Sequence, residues 1–454
     1  MNKVLLAFSG GLDTSYCARY LAVDLGMDVH SVIVDTGGFS SDDLARIEAR
    51  AHACKVSSHT ALDRTQELYD KVLRHCIAGN ILKNATYPLS VSAERCIQAI
   101  AIAEHALAIG ATHLAHGSTG AGNDQIRFDV IFRILCPDIT VLTPIRDQRL
   151  SREDEIAYLT SHGVQGDWTK SNYSINQGIW GTTIGGKETL ISNLPLPDDV
   201  WPSNAMIELR ANNANNANNA DNANNANNAD NANETTGRNT RLQQKHTGSQ
   251  TLRIGFENGQ PCSLDDVRMD AVACIRALND IGASYGIGRD MHVGDTIIGI
   301  KGRVAFEAPA ALMMIKAHHA LEKHVLTKWQ LNLKDQLSMW YGQLLHEGQF
   351  LEPAMRSIEA FFNETQRNVT GTVDLALSPL TFSVLGLSSL HDMMRSTFAT
   401  YGEMNRAFTG DDAKGFASIA AVSTMINRSV SMIDRSVSST PEVLSENSNS
   451  SVDK

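Results

Sequence analysis

Ser9-Gly10-Gly11-Leu12-Asp13-Thr14-Ser15 constrains this chain more than any other segment. It follows a short apolar run, Val4-Leu5-Leu6-Ala7-Phe8. It precedes Tyr16, Tyr20, Leu21 and Leu25, which recur at the three- and four-residue spacing of a helix face. Strand, glycine turn and helix together make an anion cradle. Two glycines let backbone N–H groups approach a phosphate without a Cβ in the way. The first helical turn aims its free N–H groups, and the positive end of its dipole, at the same point. Ser9, Thr14 and Ser15 can add hydroxyl donors. The alternative is a plain strand-to-helix turn with Asp13 as an ordinary first-turn carboxylate. In a phosphate site Asp13 would repel the ligand unless a cation stood between them, so the pattern carries an expectation of Mg²⁺. A Walker loop is excluded, because no G-x-x-x-x-G-K-[ST] run occurs.

Residues 1–170 alternate strand and helix signals. Strands are predicted at 3–8, 29–35, 112–116 and 139–143, and helices at 14–26, 40–54, 63–79 and 92–109. That alternation predicts an α/β unit with a parallel sheet covered on both faces. Ligands in such sheets sit at the carboxyl ends of strands. Ser9–Ser15 lies at one such end, and His116-Gly117-Ser118-Thr119 at another. Residues 211–233 are a near-perfect Ala-Asn-Asn repeat without a large apolar side chain, so they cannot bury a core. A disordered insert over 208–249 is expected, and deleting 211–233 should leave activity intact. Beyond it, Thr251–Phe256 alternates as a strand. Ser263–Ile281 reads as a helix opened by a Ser263/Asp266 capping box and stopped at Gly282. Further amphipathic helices are predicted at 309–330 and 352–366, and a disordered tail from 437.

With 454 residues and 43% hydrophobic content the chain can form two folded units. A net charge of −11 without a Lys/Arg run argues against nucleic acid as a partner. The chain's start is too short in apolar residues for a signal peptide, and no apolar stretch has membrane-spanning length. Cys17, Cys54, Cys76, Cys96, Cys136, Cys262 and Cys274 are scattered and odd in number, with no C-x-x-C pair. They read as reduced core thiols in a cytoplasmic protein.

S-G-G-x-D-[ST]-S after a strand resembles the loop of ATP pyrophosphatases, which cleave ATP between the α and β phosphates and adenylate a substrate. GMP, NAD and asparagine synthetases and tRNA-thiolating enzymes share such a loop. A second motif narrows the resemblance. His116-Gly-Ser-Thr119-Gly-Ala121-Gly-Asn123-Asp124-Gln-Ile-Arg127-Phe128 resembles the signature of the argininosuccinate synthase family. Its glycines bring backbone close to a ligand, Thr119 and Asn123 offer neutral hydrogen bonds, and Arg127 can hold a carboxylate in bidentate fashion. Tyr87-Pro-Leu-Ser90-Val-Ser92 with Arg95, Tyr173-Ser174-Ile-Asn176 leading to Thr182-Thr183, Tyr285-Gly-Ile-Gly-Arg289-Asp290 and Gly410-Asp411-Asp412 also follow that family's pattern.

The resemblance implies an amino-terminal nucleotide-binding domain over 1–170 and an α+β synthetase domain over 171–436 with a helical arm, assembled as a homotetramer. It implies a two-step ligation with ATP and Mg²⁺, in which citrulline is adenylated and then attacked by the amino group of aspartate. Carried over by motif, Ala7, Phe8, Ser9, Gly10, Gly11, Leu12, Asp13, Thr14, Ser15, Thr36 and Gly117 would meet ATP, with Asp13 on the metal. Thr119, Asn123 and Asp124 would bind aspartate. Tyr87, Ser92, Asn123, Arg127, Ser174 and Thr183 would bind citrulline. Asp13, Asp124 and Arg127 are the residues expected to serve the chemistry most directly. His116 is a candidate base, with a structural hydrogen bond as the alternative.

Three positions depart from the family's commonest pattern: Ala121 where Lys is frequent, Gly294 where a citrulline-binding Glu is usual, and Phe306 where Tyr is usual. Asp295 and Glu307 are candidates to replace the lost polar contacts. Alternatively Gly294 makes room for the acyl group of an N-acylcitrulline. A catalytically inactive binder is a third reading, against which the intact Asp13, Thr119, Asn123, Asp124 and Arg127 count.

Overall fold

The computed structural model describes residues 2–120, 122–166, 168, 173–203, 249–402 and 405–437. Ala121, most of the Asn/Ala insert and the tail beyond 437 lie outside the described residues. The chain divides into two compact units, 1–391 and 392–454.

The first unit opens with a five-stranded parallel sheet of β1 (Lys3–Ala7), β2 (Asp28–Asp35), β3 (Ser58–Asp63), β4 (His113–Ala115) and β5 (Thr140–Leu142), in the order β3-β2-β1-β4-β5. β1 is central, and its residues Val4, Leu5 and Leu6 are wholly buried because both faces of the sheet are covered. Leu5 packs with the helices Ser90–Ala108 and Asp124–Leu135 on one side. Val4 and Leu6 pack with Leu12–Val23, Ser41–Ala53 and Arg152–Ser161 on the other. The chain order reverses between β1 and β4, which pair in parallel at Val4–His113. A doubly wound sheet opens a crevice at such a reversal, at the carboxyl ends of the two strands.

The predicted strands all appear. β3 was not anticipated: Ser-His-Thr-Ala-Leu-Asp is a polar edge strand without an alternating apolar face. The 63–79 helix is interrupted by a π-helical turn at Tyr69–Leu73, between α segments Thr65–Leu68 and Arg74–Ala78.

The rest of the first unit contains two antiparallel sheets. One has the order β10-β9-β8-β13-β14, from β8 (Gln250–Glu257), β9 (Gln260–Leu264), β10 (Val267–Arg268), β13 (Gly371–Ser378) and β14 (Thr381–Ser388). The other has the order β11-β12-β7-β6, from β6 (Ser174–Gly178), β7 (Gly181–Gly185), β11 (Arg289–Asp295) and β12 (Lys301–Glu307). The helix predicted from Ser263 is a correction. Residues 260–268 form the β9–β10 hairpin, with Asp265 and Asp266 at positive φ in its turn. The helix itself is Ala271–Ser284, capped by Asp270, which accepts from the Ala273 N–H at 2.8 Å. Gly282 lies inside it, and the chain turns at Gly286, at φ +67°. The apolar spacing was the signal of the helix; the Ser/Asp pair was the signal of a turn. The 309–330 pattern is likewise two helices. Pro309–Val325 ends and Thr327 caps a new one, Lys328–His346, through a capping box with Gln330. Helix Pro353–Thr365 follows as predicted.

The second unit, taken by itself, carries helix Gly410–Val437, which leaves Phe416, Ile419, Met425, Ile426 and Val430 exposed. No helix among the described residues is long and apolar enough to cross a membrane.

Candidate active site

The loop after β1 has the geometry its glycines predict. Gly10 takes φ +74°, open to glycine at little cost, and Gly11 is the last extended residue before the helix Leu12–Val23. No side chain caps that helix, so its first N–H groups remain available to an anion. The side chains divide the work. Phe8 and Leu12 turn into the core, Phe8 edge-on to His59, and Ala7 is half-buried at the strand end. Ser9 is exposed, with its Oγ 3.3 Å from Thr14 Oγ1. Buried Ser15 donates its hydroxyl to the Gly11 carbonyl at 2.7 Å, so its role is to hold the turn. Arg50, from the facing helix, donates to the Gly10 carbonyl at 2.7 Å and stacks over Trp168. Sequence reading missed that arginine, which stands about 40 residues away along the chain and carries no motif.

Asp13 faces Glu155 of helix Arg152–Ser161. Burial raises both carboxyls above their ordinary range; Asp13 raises Glu155 further, whereas the hydrogen bond with Glu155 lowers Asp13, and Arg152 opposes the rise of both. Two acids crowded beside a phosphate loop form a donor set that a divalent cation would relieve, and Mg²⁺ is commonly held by one or two carboxylates plus phosphate oxygens. Among the described residues no three metal-binding side chains converge, so such an ion would depend on the nucleotide for its other ligands.

The second loop meets the first directly. A Cβ on Gly117 would stand 3.2 Å from the backbone of Asp13 and Thr14. His116 is structural: its Nδ1 accepts from the Ser118 N–H at 3.3 Å, which leaves Nε2–H to donate to Asp129 at 3.0 Å. Thr119 is exposed beyond it, and Asn123 accepts through Oδ1 from the Ile297 N–H at 2.9 Å.

Asp124 and Arg127, one turn apart at the start of helix Asp124–Leu135, anchor a charged network. Arg95 donates Nε to Asp124 Oδ2 at 2.9 Å, and Arg127 donates Nη1 to Oδ1 at 2.9 Å. Burial pushes the Asp124 carboxyl upward, but the two guanidiniums prevail and hold it below its ordinary value. Arg127 also donates to Ser92 Oγ at 2.9 Å and to the His346 carbonyl at 3.0 and 3.1 Å. Arg95 reaches Asn176 of β6 and, at 2.7 Å, Gln98. His346, at the end of helix Lys328–His346, donates from Nε2 to the Asp295 carbonyl at 3.2 Å. Burial, with Arg127 and Lys83 nearby, pushes its imidazole down to about 3.

Tyr87 is buried and accepts from the Val91 N–H at 3.2 Å. Its ring stacks on His292 and meets Phe306, with centroids 5.2 and 5.4 Å away. Phe306 pairs with Thr183 across β12 and β7, so Tyr87, Phe306 and Thr183 share one wall. Ser174, at the far end of β6, is exposed. Thr36 is buried, and its carbonyl accepts from the Ile179 N–H at 3.0 Å, which ties the end of β2 to the β6–β7 hairpin. The space beside Gly294 is filled: a Cβ there would stand 2.7 Å from His292 Nε2. Asp295 pairs with Lys301 at 2.6 Å in solvent, and Glu307 pairs with Arg289 at 2.9 Å in the interior, so both offered replacements are engaged elsewhere.

The family model described as arginosuccinate synthase N-terminal HUP domain matches residues 3–165, and that of the arginosuccinate synthase C-terminal domain matches 209–427. The chain belongs to the argininosuccinate synthase family. An argininosuccinate synthase of Rubrobacter xylanophilus is 34% identical over 92% of this chain and 93% of its own. Those of Dictyoglomus turgidum and Pyrococcus furiosus are 33% and 31% identical over 91% and 93% of this chain, and 94% of theirs. The family's amino-terminal domain is therefore the parallel-sheet unit whose two loops meet at Gly117. The range matched by its carboxy-terminal domain includes the strands that carry His292 and Phe306, while β7, which carries Thr183, lies between the two matched ranges.

Proposed function

We infer that this chain joins citrulline to aspartate with cleavage of ATP to AMP and pyrophosphate, giving argininosuccinate. The observation that carries this is the meeting of the Ser9–Ser15 loop with Gly117 at one end of a site whose other end is the Arg95–Asp124–Arg127 network. A ureido carbon is a poor electrophile without a leaving group. Adenylation provides one: the ureido oxygen attacks the α-phosphate, the α–β phosphoanhydride bond breaks and pyrophosphate leaves. The aspartate amine then attacks the activated carbon and expels AMP.

In this reading the first-turn N–H groups and Gly10 hold the phosphates, aided by the Ser9 and Thr14 hydroxyls, with Thr36 beside the adenosine. Asp13, backed by Glu155, would hold Mg²⁺, which supplies charge neutralisation at the phosphates. Thr119, Asn123 and Asp124 receive aspartate. Tyr87, Ser92, Asn123, Arg127, Ser174 and Thr183 surround citrulline. The reaction needs positioning and charge stabilisation rather than a protein nucleophile. His292 takes the space that an N-acyl group at Gly294 would need, which favours free citrulline. A cytoplasmic location accords with seven unpaired cysteines, six of them buried. The exposed stripe Phe416, Ile419, Met425, Ile426 and Val430 supports assembly, proposed as a homotetramer.

Pyrophosphate release from ATP and Mg²⁺ with aspartate tests the reading, comparing citrulline with N-acetylcitrulline and identifying the product by mass. Release with citrulline and formation of argininosuccinate are expected. Release only with the acylated compound, or none with either, overturns it. Sedimentation at micromolar concentration tests the tetramer, and a monomer refutes it.

A further inference from the structure

Glu94 is a buried acid beside this site that the ligation chemistry leaves unused. It stands on helix Ser90–Ala108, next to Arg95, at 1% exposure, and its Oε1 has no hydrogen-bond partner among the described residues. A bare carboxylate there would be costly. Its surroundings do not supply the missing cation. Arg95 has committed Nε to Asp124, Nη1 to Gln98 and Nη2 to Asn176. Asp124 from the neighbouring helix, and Asp35 from the end of β2, add negative charge, and Tyr87 lies on the remaining side. The β6–β7 hairpin faces it with Gly178, while Asn176 is neutral. Burial first, then Asp124 and Asp35, raise the Glu94 carboxyl to about 8 against the pull of Arg95.

The contact with the hairpin is close. A Cβ on Gly178 would collide with the Glu94 carboxyl, so the carboxyl occupies space that only a glycine leaves open and would have to move for any other residue. The hairpin matters because it meets the site at three places. Asn176 meets Arg95, Thr183 shares the wall with Phe306, and the Ile179 N–H bonds Thr36. Gly38 is likewise pressed against the Gln177 carbonyl, and its own N–H is held by Asp35 at 3.1 Å.

We propose that Glu94 is a positioning residue for the ligation: it seats the β6–β7 hairpin against the start of helix Ser90–Ala108 and keeps Arg95 aligned with Asn176 and Asp124. When it loses its proton, the new anion repels Asp124 and Asp35 and draws Arg95 from its partners. The aspartate-binding end of the site then loosens at alkaline pH. This rests on the ligase reading above.

The test is kcat/KM for aspartate at pH 7 and pH 9 in the full-length enzyme and in Glu94→Gln, which cannot ionise. The wild type is expected to fall about tenfold between the two, as a group titrating near 8 requires. Glu94→Gln is expected to change less than about twofold over the same span. Ionisation of free aspartate is common to both proteins and cancels. A second pair removes dependence on that variant's folding. Gly178→Ala should lower kcat/KM by displacing the Glu94 carboxyl, and Glu94→Asp combined with Gly178→Ala, which keeps an acid one carbon shorter, should recover part of it. An equal alkaline fall in Glu94→Gln, or no recovery in the double variant, overturns the proposal. A wild type inactive at both pH values would instead overturn the ligase reading.

Discussion

Gly117 shows how much a single hydrogen can decide. A Cβ there would stand 3.2 Å from the Asp13–Thr14 backbone, so even a methyl group must push apart the two loops that meet there. Gly117→Ala is therefore expected to raise the KM for ATP about tenfold or more while leaving the melting temperature within a few degrees, because the change falls at the mouth of the sheet rather than in its core. An unchanged KM would show that the loops can part without loss. Arg127 presents the converse case. Its fork serves Asp124, Ser92 and the His346 carbonyl at once, a geometry that a lysine cannot reproduce. Arg127→Lys should cost about 2–3 kcal/mol in kcat/KM for citrulline, a drop of about 30- to 150-fold. A drop of less than about threefold would mean that charge alone suffices. Both residues were legible in the sequence because they sit in a motif. His346, Arg50 and His292 were not, since each reaches the site from a different element and none lies in a recognisable run; Glu94 stands inside the Tyr87–Arg95 motif, but its burial without a partner does not show in the sequence.

At the scale of elements, the loop that follows Ala78 is pinned by buried charge. Lys334 donates to the Ala78 carbonyl at 3.0 Å and pairs with Glu322 at 2.9 Å, both fully buried. Asn80 and Gln366 donate to the remaining Glu322 lone pairs at 2.6 and 2.7 Å, and His318 joins their two amides. Removing one partner strands the other, so Lys334→Met is expected to lower unfolding free energy by about 3–5 kcal/mol. Replacing both, as Lys334→Met with Glu322→Leu, should recover part of that loss. Denaturant melts would check the pair; a loss below about 1 kcal/mol for the single variant would show that water reaches Glu322. This network escaped sequence reading, because a lysine and a glutamate 12 residues apart on two helices look like ordinary surface charges. The same limit explains the Ser263 error. A capping-box pattern and a tight hairpin turn use the same residue types, and only the pairing of β8 with β9 decides between them.

For the whole molecule, acid sensitivity follows from imidazoles held neutral by the fold. His75 and His346 are both buried and pushed down to about 3, chiefly by burial. Their unfolded value is 6.5. The unfolded chain therefore binds more protons below pH 6.5, and stability falls as pH drops through that value and on toward 3. Each histidine should cost about 2 kcal/mol by pH 5 relative to pH 8. Denaturant titrations at the two pH values check this, and His75→Phe should remove about half of the difference. A flat profile would contradict neutral burial. The sequence by itself determined the glycine loop, the α/β alternation and the family, and it proposed the motif-borne site, because phosphate cradles and helix faces are written in residues close together along the chain. Tertiary structure alone decided that His116 is structural, that Gly294 is filled by His292, and that Glu94 fits against Gly178. Those outcomes depend on burial and on side-chain orientation, and for Glu94 on a partner 84 residues further along the chain, none of which local pattern records.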